Sequence, residues 1–128
     1  MSDYERLTAA LGKVRAQDVA TFLGLHGSTG VIEDNLTDFH RAAVKMNVTD
    51  WVGTHVGAYE HGGAFWDNQE VLRYRYDNSP VTEVWFSFNH HRPELAALLA
   101  SALRAEGLDA QEPVDDWSGV LLRLGSAR

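Results

Sequence analysis

Six histidines, His26, His40, His55, His61, His90 and His91, are the residues of this chain best suited to metal or acid–base chemistry, because imidazole ligates zinc and titrates near neutral pH. Their spacing argues against a metal site. His55 and His61 stand an even number of residues apart and would share one face of an extended strand, whereas the neighbours His90 and His91 would point to opposite faces. No spacing reproduces H-E-x-x-H or another helical zinc pattern. The chain has no cysteine, so disulfides, thiolate nucleophiles and cysteine-ligated zinc are excluded. The histidines read as scattered surface and strand-end residues, and neither a metal nor a cofactor is expected.

Hydrolytic and phosphate-binding signatures are missing as well. None of Ser2, Ser28, Ser79, Ser87, Ser101, Ser118 and Ser126 lies in a G-x-S-x-G elbow. Asp38 and His40 are two apart in a helical pattern and do not face one another. Gly24, Gly27 and Gly30 make no phosphate-cradling fingerprint after a strand. Asp115 and Asp116, beside Trp117 and Gly119, read as a solvated turn rather than a carboxylate pair.

The elements that must carry any site follow from apolar periodicity. Tyr4, Leu7, Leu11 and Val14 recur at helical spacing, with Ser2 or Asp3 as N-cap and a break expected at Gly12. Val19, Phe22 and Leu23 form a second short helical stripe, and Leu25 to Gly30 a turn. A clearer helix places Ile32, Leu36, Phe39, Ala43 and Met46 on one face, with Ser28 or Thr29 as cap. Glu33 and Asp34 lie in its first turn and Lys45 in its last, the signs that the helix dipole favours, and Asn47 stops it.

From Trp51 the pattern changes to β-branched and aromatic runs at Val52–Glu60, Glu70–Tyr76 and Val81–Phe88, punctuated by Gly62-Gly63 and Asp77-Asn78-Ser79-Pro80. A final helix starts at Pro93, presents Leu95, Leu98, Leu99, Ala102 and Leu103 on one face, and stops at Gly107. Leu108–Gln111 and Val120–Leu124 read as further strands. The expected fold is α+β: N-terminal helices, a mainly antiparallel sheet of about four or five strands containing a three-strand meander, and one C-terminal helix packed on the sheet.

Alternation along the strands defines a candidate surface. Pairing Tyr74 with Val84 and Leu72 with Phe86 joins their apolar side chains into one buried face, and a slip of one residue would mix apolar and charged residues. That register sets Arg75 opposite Glu83 and Arg73 opposite Trp85. If Val52–Glu60 is the neighbouring strand, His55 and Tyr59 join them, with Gly53 and Gly57 leaving room between. Arg73, Arg75, Glu83, Trp85, His55 and Tyr59 are therefore the expected binding residues, since Trp, Tyr and Arg are the side chains that anchor interfaces.

Length and charge bound what such a surface does. The 128 residues suit a single domain spanning 1–128, and 45% hydrophobic content supplies a core. Eleven Lys and Arg stand against 18 Asp and Glu, a net charge of −7. This balance opposes phosphate neutralisation, and the stretch Val31-Ile32-Glu33-Asp34-Asn35 would bring two acids to the start of a recognition helix, so nucleic acid is not the expected partner. The opening Met1 to Arg6 has early acids and no long apolar run, and no segment matches a membrane span. A cytoplasmic protein is expected.

In size and charge the chain resembles the acidic α+β inhibitors that neutralise basic toxins and nucleases, a likeness of composition and not of motif. The leading expectation is a non-catalytic, acidic protein-binding module of inhibitor or immunity type, whose partner is basic. The alternatives are a small enzyme or small-ligand-binding protein with a His/Tyr/Trp-lined pocket at the sheet, and a helix-turn-helix-like regulator.

Overall fold

The computed structural model describes residues 1–26, 32–57, 62–89, 92–115 and 118–125, and for residues 32–34 the backbone alone. Tyr59, His61, His90 and His91, and the caps expected at Ser28 or Thr29, lie outside these.

Helix α1 (Asp3–Arg15) opens on a capping box. The Ser2 hydroxyl accepts the Glu5 N–H, and the Glu5 carboxylate accepts the Ser2 N–H. It buries Leu7, Ala10, Leu11 and Val14. The break expected at Gly12 does not occur. A mid-helix glycine costs about 1 kcal/mol, less than the cap and the buried stripe together supply.

The stripe expected to form a second helix is instead strand β1 (Ala20–Gly24), joined through α2 (Ile32–Lys45) to β2 (Trp51–His55), with which it pairs in parallel. This βαβ unit removes the helix-turn-helix outline, whose first helix is this strand. Helix α2 ends as expected, with Asn47 in the left-handed region at φ 62°. Phe39 and Ala43 are buried beneath α2, but Met46 is 55% exposed. It lies beyond the last helical turn, where Met46 and Val48 both donate to the Ala43 carbonyl.

The main sheet has the order β1-β2-β5-β7-β6, with β5 at Glu83–Phe88, β6 at Asp109–Gln111 and β7 at Val120–Arg123. Only β1–β2 is parallel. Helix α3 (Glu94–Ala105) follows Pro93 and stops at Gly107, which sits at φ 84°. It packs with α1 on one face of the sheet, over a core that includes Leu7, Val14, Val52, Phe86, Leu99, Leu103 and Leu122. A second cluster of Ala20, Phe39, Ala43 and Trp51 fills the opposite face beneath α2.

The three-strand meander is not formed. β4 (Leu72–Tyr74) pairs with β3 (Ala64–Trp66), a strand the sequence did not suggest, in a separate hairpin. Tyr74 lies opposite Ala64 and Leu72 opposite Trp66, whereas Val84 lies opposite Leu122 and Phe86 opposite Val120. The expected Tyr74–Val84 register fails because the chain doubles back tightly after β4. Tyr74 donates to the Ser79 carbonyl, Val81 donates to Leu72, and Arg73 bridges Pro80. Proline has no N–H with which to extend that ladder, and β5 leaves to pair with β2 and β7. The hairpin docks on α1 through an edge-to-face contact of Tyr4 with Trp66, centroids 5.2 Å apart, and a 2.8 Å hydrogen bond from the Ser2 hydroxyl to Glu70.

Candidate functional site

Strand parity divides the sheet's second face into two halves. Trp51, Gly53 and His55 of β2 point toward α2, since Gly53 lies opposite Ser87 and Trp51 belongs to the cluster beneath that helix. Ser87, Trp85 and Glu83 continue the same face along β5, then Leu121 and Arg123 on β7, then Asp109 and Gln111 on β6. Helix α2 covers the β1–β2 half; among the described residues no helix covers the β5–β7–β6 half. Trp85 stands on that uncovered half and is 52% exposed. Full burial would have removed this surface from consideration.

His55 marks the boundary between the halves. Its imidazole stacks on Phe39 with ring centroids 4.8 Å apart, and it lies over Gly24, where a Cβ would run into Nδ1. Burial against these neighbours pushes the His55 pKa below its ordinary value, and the Asp38 carboxylate partly offsets the shift. Gly53 has a structural reason of its own: a Cβ there would come within 3.1 Å of the Phe39 ring.

Two shallow notches flank the His55–Trp85 pair. One, of about 170 Å³, is lined by Asn35, Leu36, Phe39, His55, Trp85 and Ser87. The other, of about 150 Å³, reaches the hairpin and is lined by His55, Gly57, Tyr74, Glu83, Val84 and Trp85. Both fall below the roughly 300 Å³ at which small-ligand pockets begin, and they suit single side chains. Ser87 and His55 both line the first notch, and among the described residues no hydrogen bond joins them. No three His, Cys, Asp or Glu side chains converge as metal ligands among the described residues.

A larger cleft than these two notches lies elsewhere. A cleft of about 500 Å³ opens beside the start of α3, lined by Phe88, Pro93, Ala96, Glu112, Pro113, Val114 and Asp115. Its acids are already engaged. Glu112 meets Arg104 at 3.4 Å, and Asp115 accepts both the N–H and the hydroxyl of Ser118 at 2.8 Å. We place the candidate site at Trp85 because that face holds a large aromatic in water beside a charged residue, Glu83, with no ion pair among the described residues.

The expected site residues divide accordingly. Glu83 and Trp85 stand on the uncovered half, and His55 meets them from its boundary, all three lining one notch. Arg73 and Arg75 do not, because their strand left the sheet: Arg73 binds Asp67 at 2.7 Å and the Asn78 carbonyl at 2.8 Å, and the Arg75 guanidinium sits 5.2 Å over the Phe65 ring. Leu121, Arg123 and Asn35 were missed. Leu121 and Arg123 alternate within the last strand, but only knowledge that β7 neighbours β5 assigns them to this surface. Leu121 is 4% exposed between Trp85 and Gln111.

No protein-family model, no curated protein and no solved structure matches the chain. Among the described residues no helix is long and apolar enough to cross a membrane.

Proposed function

We propose that this protein is a non-catalytic binding module of inhibitor or immunity type, and that it holds a protein partner on the uncovered half of its sheet. The observation that carries this reading is Trp85, half in water on the central strand β5, between two notches that each fit one side chain. A tryptophan so placed is the kind of anchor on which interfaces concentrate their energy. The net charge of −7 favours encounter with a basic partner, in the cytoplasm that the sequence suggests.

Affinity capture from the native lysate tests this with three forms of the protein: wild type, Trp85→Ala, and Tyr76→Ala. Tyr76 is the control, since it is 60% exposed on the turn that follows β4. A partner held by wild type and Tyr76→Ala but lost on Trp85→Ala is the expected result. Retention indifferent to Trp85→Ala would overturn it.

A second reading, a small-ligand binder, draws support from the 500 Å³ cleft beside α3, whose volume lies within the usual range. Thermal stabilisation by a metabolite panel, abolished by a bulky substitution at Ala96, is its test.

A further inference from the structure

The two notches beside Trp85 differ in chemistry. The notch toward α2 is lined by uncharged polar and apolar groups. The notch toward the hairpin is lined by the aromatics Trp85 and Tyr74 and, as its one formal charge among the described residues, by Glu83. His55 closes it from β2, where burial disfavours the charged form of its imidazole. Aromatic faces attract cations through the negative face of the ring, and most strongly for indole. A guanidinium adds planar stacking and a fork of donors that matches a carboxylate.

We propose that this notch receives the guanidinium of an arginine side chain on the partner protein, stacked against Trp85 and Tyr74 and paired with Glu83. The inference rests on the partner-binding reading above and names the chemistry that reading leaves open. Charge complementarity is its warrant. Among the described residues lining the notch only Glu83 is charged, and the whole protein carries −7. Arg123, directly opposite Glu83 on β7, is the internal competitor. It lies between Glu83 and Asp109 in the register and among the described residues closes an ion pair with neither. An incoming arginine therefore meets a carboxylate that forms no ion pair among the described residues.

The experiment is a proton–nitrogen NMR titration of the full chain with N-acetyl-argininamide, and with its neutral citrulline counterpart as control. The arginine probe should move the Trp85 indole N–H and the amides of Tyr74 and Glu83, whereas the citrulline probe should leave them in place. Glu83→Gln should weaken the arginine probe by about two- to fivefold, the range of an exposed charge pair. Arg123→Gln should strengthen it. Equal shifts with citrulline, or shifts only at the cleft beside α3, would overturn the inference. Its failure is separable from failure of the binding reading. If capture of a partner still depends on Trp85 but is unchanged by Glu83→Gln, and the arginine probe moves nothing, the cation preference falls and the binding surface stands. If no capture depends on Trp85, the binding reading itself falls.

Discussion

The imidazole of His55 lies nearly parallel to the ring of Phe39, 4.8 Å between centroids and 16° between planes. Phe39 in turn stacks on Phe22 of β1 at 5.4 Å and leans on Trp51 of β2 at 5.3 Å. One helical residue thus ties α2 to both strands it covers and seats the histidine that borders the candidate site. The stack has a consequence for pH. Burial disfavours the charged imidazole, so the His55 pKa in the folded protein lies below its ordinary 6.5. The unfolded chain then binds the proton more readily. His55 contributes stability above pH 6.5, and that contribution is lost as pH falls through 6.5 toward the folded value. Denaturant melts from pH 8 to 5 should show a loss of stability that His55→Gln reduces. Asp38→Asn should lower the His55 pKa further, read from its ring proton shifts, because the carboxylate is what partly restores the charged form.

Leu99 is fully buried under α3, whereas its neighbour Leu98 is half-buried at the edge of the core. The sequence expected both, with Leu103, to be buried together. Leu99→Ala should cost about 2–5 kcal/mol through lost transfer energy and the cavity left behind. Leu98→Ala should cost about 1 kcal/mol. Denaturant melts of the two variants decide it, and equal losses would mean that the helix is rotated on the sheet.

These helices were legible because each has a wet side and clear ends. Ser2 and Glu5 announce α1, and Pro93 and Gly107 bracket α3. Strand β1 was not legible, because both its faces are covered. Ala20 and Phe22 meet α2 while Leu23 meets the main core, so Val19 to Leu23 shows no alternation and a short apolar run reads equally as helix. The register of β5 failed for a different reason. Leu72, Tyr74 and Tyr76 alternate in step with Val84, Phe86 and Phe88, and the nearest matching strand looked like the partner. The true partners, β2 and β7, are remote in the chain, and no local pattern distinguishes them. Glu83, Trp85 and Ser87 were legible as one face because their alternation holds whatever strand lies beside them.

Two glycines without unusual backbone angles should respond differently to an added methyl group. At Gly119 a Cβ would run into the carbonyl oxygen of Phe86, which is fixed in the β5 ladder. At Gly24 it would meet the His55 ring, which can swing away at the expense of its stack on Phe39. Gly119→Ala should therefore destabilise by about 1–3 kcal/mol, and Gly24→Ala by less. Gly24→Ala should also shift the His55 ring protons and raise its pKa toward the ordinary value, as the ring moves into water.

Duplex DNA should bind no tighter than about 1 μM at physiological salt, the tight edge of non-specific binding. The net charge of −7 repels phosphate, and the outline of a helix-turn-helix dissolves once its first helix is the strand β1. Fluorescence anisotropy with random duplex measures this. Sub-micromolar binding that weakens steeply with salt would restore the regulator reading.

Asp67 organises the hairpin that removed Arg73 from the expected site. Its carboxylate accepts the N–H groups of Gln69 at 2.8 Å and Val71 at 3.0 Å, and the Arg73 Nε at 2.7 Å. The bond from Arg73 leads the causes that hold the Asp67 carboxyl below its ordinary 3.8, with the backbone donors adding to it. Here the unfolded chain again binds the proton more readily. The contribution is present above pH 3.8 and is lost as pH falls through 3.8 toward the folded value. Amide protection at Ala64–Trp66 and Leu72–Tyr74 should therefore decline in that window ahead of the main sheet, and Asp67→Asn should lower it at neutral pH and flatten its pH dependence. Arg73→Ala should loosen the same amides while leaving Trp85-dependent partner capture intact. Loss of that capture on Arg73→Ala would place the hairpin arginine in the binding surface after all, against the register in which β4 pairs with β3.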